Sequence, residues 1–145
     1  MNRITDDPKQ NAKILRAIRE KEENLVREGE ELARSIAGGG KPSDKERQLR
    51  NIQEIAEQST SWAEVELFIR YQAARKEIPV NWAIEAIQKL KELLYGMARS
   101  IVGVEDESLI RKVHLELVRR VLGYTVRWHV WHVKGETQIV KGGGR

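Results

Sequence analysis

The amino-acid sequence predicts an all-α protein: a compact bundle of about five helices with a long N-terminal helix and a flexible C-terminal tail. Three observations carry this. Apolar residues recur at spacings of three and four through most of the 145 residues, the period of a helix with one buried face. Helix-start signals stand between those stretches, at Asp7-Pro8, Ser43-Asp44-Lys45-Glu46 and Ser61-Trp62-Ala63-Glu64. Several glycines and prolines punctuate the same junctions, at Gly38-Gly39-Gly40, Pro79 and Gly103.

The first helix is predicted over Pro8–Ala37. Asp7 is its N-cap, and Pro8 fits the first helical position, where its missing N–H costs nothing. Leu15, Ile18, Leu25, Leu32 and Ile36 form a stripe that Glu22 and Gly29 interrupt, so this helix is expected to lean on a partner or stand partly free. The triple glycine ends it. A capping box starts the second helix at Ser43, with Leu49, Ile52, Ile55 and Ala56 on its face, and it ends near Ser59-Thr60. Ser61 caps the third helix, whose buried side is Trp62, Val65, Phe68 and Ile69 and whose end is set by Pro79.

Asn81 is the expected cap of the fourth helix. Ala83, Ile87, Leu90, Leu94, Met97 and Ile101 make the cleanest seam in the chain, which predicts that this helix is central; Gly103 stops it. The fifth helix starts around Glu105–Glu107 and carries Ile110, Val113, Leu117, Val121, Tyr124, Trp128 and Trp131, with Gly123 inside it. Val126, Trp128 and Val130 alternate, so a hairpin through Lys134-Gly135-Glu136 competes with helix there; the unbroken helical stripe favours helix to about Val133. The expected division is an N-terminal helix and hinge at 1–40, a bundle domain at 41–133 and a tail at 134–145.

Composition bounds the function. The chain is 40% hydrophobic and 33% charged, which implies a small or assembly-dependent core and long solvated faces. With no cysteine, disulfides, thiolate nucleophiles and thiolate metal sites are excluded. The first residues lack the apolar stretch of a signal peptide, and no apolar run approaches a membrane span, so a cytoplasmic location without membrane contact is expected.

No catalytic set emerges, and no enzyme activity, cofactor or metal is expected. His129 and His132 are three apart on a helix, but no cysteine or carboxylate neighbours them, and His114 lies four turns away. They are expected at the surface between buried tryptophans, or touching phosphate or bases. Gly38-Gly39-Gly40-Lys41-Pro42-Ser43 faintly resembles a phosphate loop but lacks its spacing and a preceding strand. The serines sit mainly at helix ends, where they serve backbone bonding. Trp62, Trp82, Trp128 and Trp131 fall on apolar faces and are expected in the core or at subunit contacts.

Charge distribution is the strongest signal. The formal net charge is +4, yet Leu109–Lys134 alone holds Arg111, Lys112, Arg119, Arg120, Arg127 and Lys134 against Glu116, a net of +5. At ~100° per residue, five of these cations fall within an arc of about 80–180° from Arg111, beside the apolar stripe at about 200–280°. One side of the helix is therefore expected to pack while the adjacent side offers cations to a polyanion. A merely solvated basic face is the bland alternative.

Glu66-Leu67-Phe68-Ile69-Arg70-Tyr71-Gln72-Ala73-Ala74-Arg75 resembles the Tyr-Ala-Ala-Arg-type helix of the small subunit of Csm-type type III CRISPR effector complexes. In that family a middle helix follows, here Trp82–Ile101, and then a final helix with an apolar stripe ending in an Ala-Tyr-basic pattern, to which Leu115–Arg127 is similar in kind. The resemblance covers Ser61–His132, about half of the chain. Gly123 stands where the family commonly has Ala, no Lys follows Tyr124, and the first helix, the triple glycine and the tail depart from the family's pattern. A Cmr-type small subunit is the more distant match.

The resemblance implies a non-enzymatic helical subunit that stacks in several copies along the guide–target RNA duplex, beside other effector subunits, and contacts the backbone without reading sequence. Matching positions for that role are Arg70, Arg75, Arg119, Arg120 and Arg127, and the basic arc adds Lys112. The alternatives are a helical interaction or scaffold module without nucleic acid, and a DNA-binding regulator. The third helix carries too many apolar residues for an obvious recognition helix.

Overall fold

A computed structural model describes residues 3–36, 42–136 and 138–139. The regular elements among them are all helical: α1 (Pro8–Glu20), α2 (Glu22–Ile36), α3 (Pro42–Gln58), α4 (Trp62–Ala74), α5 (Val80–Gln88), α6 (Leu94–Val102) and α7 (Glu107–Val130). A π-helical turn at Lys89–Leu93 joins α5 to α6 in one rod, and a second at Trp131–Gly135 extends α7. With α5 and α6 counted as one rod, the bundle has six helices among the described residues.

The cap chemistry explains several boundaries. Asp7 accepts from the Lys9 and Gln10 amides ahead of Pro8, and Ser61 accepts from the Ala63 amide at the start of α4. Gly103 takes the left-handed conformation, φ 75°, that closes α6. Three expected boundaries move. α4 stops at Ala74, well before Pro79, because Lys76 adopts φ 63° and breaks the ladder. Pro79 rather than Asn81 occupies the N-cap of α5. α3 starts at Pro42, one residue early, and the Glu46 carboxylate pairs with Arg50 and Lys134.

The long first helix is two helices. At Lys21 the backbone (φ −98°, ψ 2°) leaves the α region, and the Lys21 amide donates to Ile18 O at 2.9 Å, a tighter turn than the helix on either side. The break lets each half aim its own stripe inward: Ile14 and Ile18 from α1, Leu25, Leu32 and Ile36 from α2. All five join one core cluster with Leu49, Ile69, Leu90 and Ile110, so α1 and α2 pack as part of the bundle and do not stand apart from it. Gly38-Gly39-Gly40 lies outside the described residues.

The central helix is α7, not the Trp82–Ile101 rod. Val113 to Val118 are buried one after another, and six successive positions cover more than a full turn, so no side of α7 faces water there. It packs against α2, α3 and α6. The α5–α6 rod buries Trp82, Ala83, Ala86, Ile87, Leu90, Leu94 and Ala98 and leaves Ile84, Leu93 and Arg99 outside, the arrangement of a peripheral helix.

Two glycines mark close packing on α7. Gly29 of α2 sits against Tyr124 and Thr125, and Gly123 faces Gln53 of α3. Thus Gly29, which interrupts the stripe in sequence, admits α7 close against α2, and Gly123 lies inside an intact helix. Trp82 Nε1 donates to Leu32 O and Trp128 Nε1 to Val26 O, tying α5 and α7 to α2. At the C-terminal end the chain stays helical through Glu136 and again at 138–139, so the helical alternative to the hairpin holds through the described residues. Residues 140–145 lie outside the described residues.

Candidate nucleic-acid interface

α7 lays out the basic residues, and its central position decides their environment. Arg119 is 22% exposed in its side chain and points inward along α3. Its Nε and one terminal nitrogen donate to Ala56 O and Ser59 O, both at 2.8 Å, and so satisfy carbonyls at the end of α3 that have no helical partner. Arg120, 28% exposed, donates to Glu116 at 2.9 Å and to Glu22 of α2 at 2.7 Å. Burial alone would depress its pKa, but these two carboxylates raise it overall. Glu116, the lone acid of the arc, is buried between Arg119 and Arg120. The expected solvent-facing stripe is therefore divided: Arg119 and Arg120 join helices, because a central helix has no free side on which to carry them.

The remaining expected residues are exposed. Arg127 lies over the Tyr124 ring at 5.3 Å, and the Tyr124 hydroxyl donates to Glu22. Arg70 pairs with Glu66 one turn back at 2.9 Å. Arg75 stacks over Tyr71 at 5.3 Å and approaches Glu77 at 3.8 Å. Exposed pairs of this kind exchange readily for a phosphate, since each is worth little in water. Lys112 is exposed and has no ion pair among the described residues. It lines a cleft of about 660 Å³ with Arg3, Thr5, Asp6, Glu107 and Arg111.

A second basic surface is set by α1. Lys9, Lys13, Arg16, Arg19 and Lys21 are all exposed along this helix and its C-cap, with Glu20 the sole acid of that stretch. None of the five side chains makes a hydrogen bond or ion pair among the described residues. Lys9, Lys13 and Arg16 follow at steps of four and three, one face of a helix, and the row from Lys9 to Arg19 runs about 15 Å at ~1.5 Å per residue. The segment Arg3–Asp6, which leads into α1, forms one wall of the cleft holding Arg111 and Lys112. The spacing is present in the sequence. Taking residues 8–37 as one helix hides it, because the acids of α2 make the whole look mixed.

No family model, curated protein or solved structure matches the chain.

The other candidates resolve as follows. His129 is buried, not at the surface; His132 is half-buried beside the Trp128 ring at 5.8 Å. No group of three or more His, Cys, Asp or Glu among the described residues is placed to hold a metal ion. Trp82 is buried, Trp62 and Trp128 are half-buried and Trp131 is exposed. No helix among the described residues is long and apolar enough to cross a membrane.

His114 is the histidine with a defined role in the fold. It is 3% exposed, and Leu90 O, in the π-turn, lies 2.8 Å from its Nε2. A carbonyl only accepts, so Nε2 carries the proton. Burial holds the imidazole pKa below its usual value, which keeps the ring neutral and leaves Nδ1 as a bare acceptor. Trp62 and Tyr95 form T-shaped contacts with His114 at centroid distances of 5.6 and 5.3 Å. These three residues line a second cleft, of about 800 Å³, between α4, α6 and α7.

Proposed function

We propose that this protein is a non-catalytic helical subunit that binds the phosphate backbone of RNA within a larger ribonucleoprotein, the type III CRISPR effector whose small subunit residues 66–75 resemble. The observation that carries the reading is the set of exposed cations without ion-pair partners among the described residues: Lys9, Lys13, Arg16, Arg19 and Lys21 on α1, and Arg111 and Lys112 at the start of α7. Cations left unpaired along a rigid helix neutralise phosphates without a base code, which suits a subunit whose sequence specificity comes from guide–target pairing. Arg70, Arg75 and Arg127 are exposed enough to add contacts. Arg119 and Arg120 act one step back, by fixing the helix that carries Lys112.

A second reading, a protein-interaction module, is favoured by the apolar residues left outside on α4 and α5. Leu67 is 68% exposed and Ile84 57%, with Tyr71 and Val80 beside them in the same two helices. In a stacked assembly the two readings coexist, with this apolar side meeting a neighbouring subunit and the basic side meeting RNA.

Alanine at Lys9, Lys13, Arg16 and Arg19 together is the decisive variant, since all four side chains are exposed and alanine favours helix. RNA binding to the full chain, and to the complex that co-purifies with it, should weaken equally for unrelated sequences. The salt slope should fall by about 0.7–0.9 for each phosphate that is no longer neutralised. An unchanged affinity and slope in the variant would leave α1 a solvated face and the interaction-module reading in its place.

A further inference from the structure

The cleft between α4, α6 and α7 is not used by backbone binding, and its chemistry differs from the basic surfaces. Its floor is the buried His114 ring, whose Nε2 is committed to Leu90 O. Nδ1 has no hydrogen-bond partner among the described residues, and the ring lines the cleft. A side chain that is nine-tenths buried and presents a bare acceptor asks for an N–H donor from a ligand. Trp62 and Tyr95 stand beside it with their polar tips already tied, Trp62 Nε1 to Glu66 at 3.1 Å and Tyr95 OH to Glu107 at 2.5 Å. What they leave toward the cleft is ring surface. Gly96 keeps the space open: a Cβ there would meet no atom within 4 Å. Arg111, without an ion pair among the described residues, and Lys91, 3.7 Å from Glu66, stand at the rim together with the acid Glu92.

A planar ring that donates an N–H at its edge and carries an anion on a short tether satisfies all of these groups at once. We propose that this cleft takes one unpaired nucleobase, stacked on Trp62, donating an N–H to His114 Nδ1, with its phosphate on Arg111 and Lys91. The proposal rests on the RNA-binding reading and adds to it a place where a single nucleotide leaves the backbone track. Because every base carries an N–H, the site recognises the absence of pairing rather than a sequence.

The test uses the full-length protein, single-stranded RNA with 2-aminopurine at one internal position, and free nucleoside monophosphates. The fill-in variant is Gly96→Leu, whose Cβ would meet no atom within 4 Å and whose branch adds bulk at the cleft wall. Wild-type protein should quench 2-aminopurine on binding. Nucleoside monophosphates should shift the Trp62 indole and His114 ring resonances, and ribose 5-phosphate should not. Gly96→Leu should weaken mononucleotide binding ~10-fold, the scale of one base–aromatic stack, and abolish the quench while RNA stays bound through the basic surfaces. RNA that binds wild type with no quench and no resonance shift overturns the pocket and leaves the backbone reading standing. Mononucleotide shifts without RNA affinity or salt dependence uphold the pocket and sink the backbone reading. A shift that ribose 5-phosphate reproduces, or that Gly96→Leu retains, overturns the pocket.

Discussion

Gly29→Ala tests the packing of α2 into the core through its close approach to α7 at this residue. On an exposed helix the substitution would stabilise, by about 0.8–1 kcal/mol of helix propensity. In this structure a Cβ at residue 29 would lie 2.6 Å from Tyr124 Cβ, 3.0 Å from Thr125 N and 3.1 Å from Tyr124 C. Carbon atoms settle at about 3.5–4.0 Å, so the two helices must part by roughly 1 Å. The atoms in the way are α7 backbone and a Cβ, which do not swing aside as the end of a side chain does. The same junction is held by Arg120 and Tyr124 on Glu22 and by Trp128 on Val26 O, bonds that a parting of the helices would stretch. Overpacking of this kind costs about 1–3 kcal/mol. Set against the propensity gain, the expected net is a loss of up to about 2 kcal/mol. Gly96→Ala is the control, because no atom lies within 4 Å of its new Cβ, and it should gain about 0.8–1 kcal/mol. Urea unfolding followed by circular dichroism separates the two by the overpacking cost, and the melting temperatures should lie about 2–12 °C apart at ~2–4 °C per kcal/mol. Gly29→Ala as stable as Gly96→Ala would mean that α2 does not seat on α7 as described.

Arg119→Ala should cost about 2 kcal/mol, because it strands the Ala56 and Ser59 carbonyls at the end of α3, and Arg119→Lys should recover little, since a lysine lacks the fork that reaches both; a urea midpoint unchanged in Arg119→Ala would put this guanidinium in solvent. His114 has its folded pKa lowered by burial, so the unfolded chain binds more protons below the ordinary histidine value, and stability should be full above about pH 6.5 and fall as pH drops below it, by at most ~1.4 kcal/mol per pH unit. His114→Gln should flatten that part of the stability–pH curve, and an unaltered curve would place the titration elsewhere.

The helical class and most helices were legible in the sequence, because the three–four period and the Asp7 and Ser61 caps are local. The choice of central helix was not, for a physical reason. A clean stripe means that one face is buried and the rest is wet, which describes a peripheral rod such as α5–α6. A helix covered on all sides must hide polar residues too, and α7 hides His114, Glu116 and Thr125 by giving each a partner. That blurs its stripe in the sequence while marking its place in the fold. The same logic governs Glu22 and Gly29. Each interrupts the apolar pattern of α2, and each does so because it meets α7: the carboxylate receives Arg120 and Tyr124, and the missing side chain admits the Tyr124 backbone.

The basic residues follow from this distinction. Counting charge along a helix locates cations but not their counter-charges, and Glu22 reaches Arg120 across 98 residues of chain. On the central helix the cations near its middle, Arg119 and Arg120, are surrounded by neighbours and had to find carbonyls and carboxylates to be buried at all. Toward the uncovered start of α7, Arg111 and Lys112 escape that requirement. On α1, a peripheral helix whose inward face is only Asn11, Ile14 and Ile18, every cation is left to solvent. The fold thus consumes two of the cations that the sequence places on α7, Arg119 and Arg120. The charge available to an external polyanion lies mainly on the helix whose break at Lys21 separates it from the acids of α2.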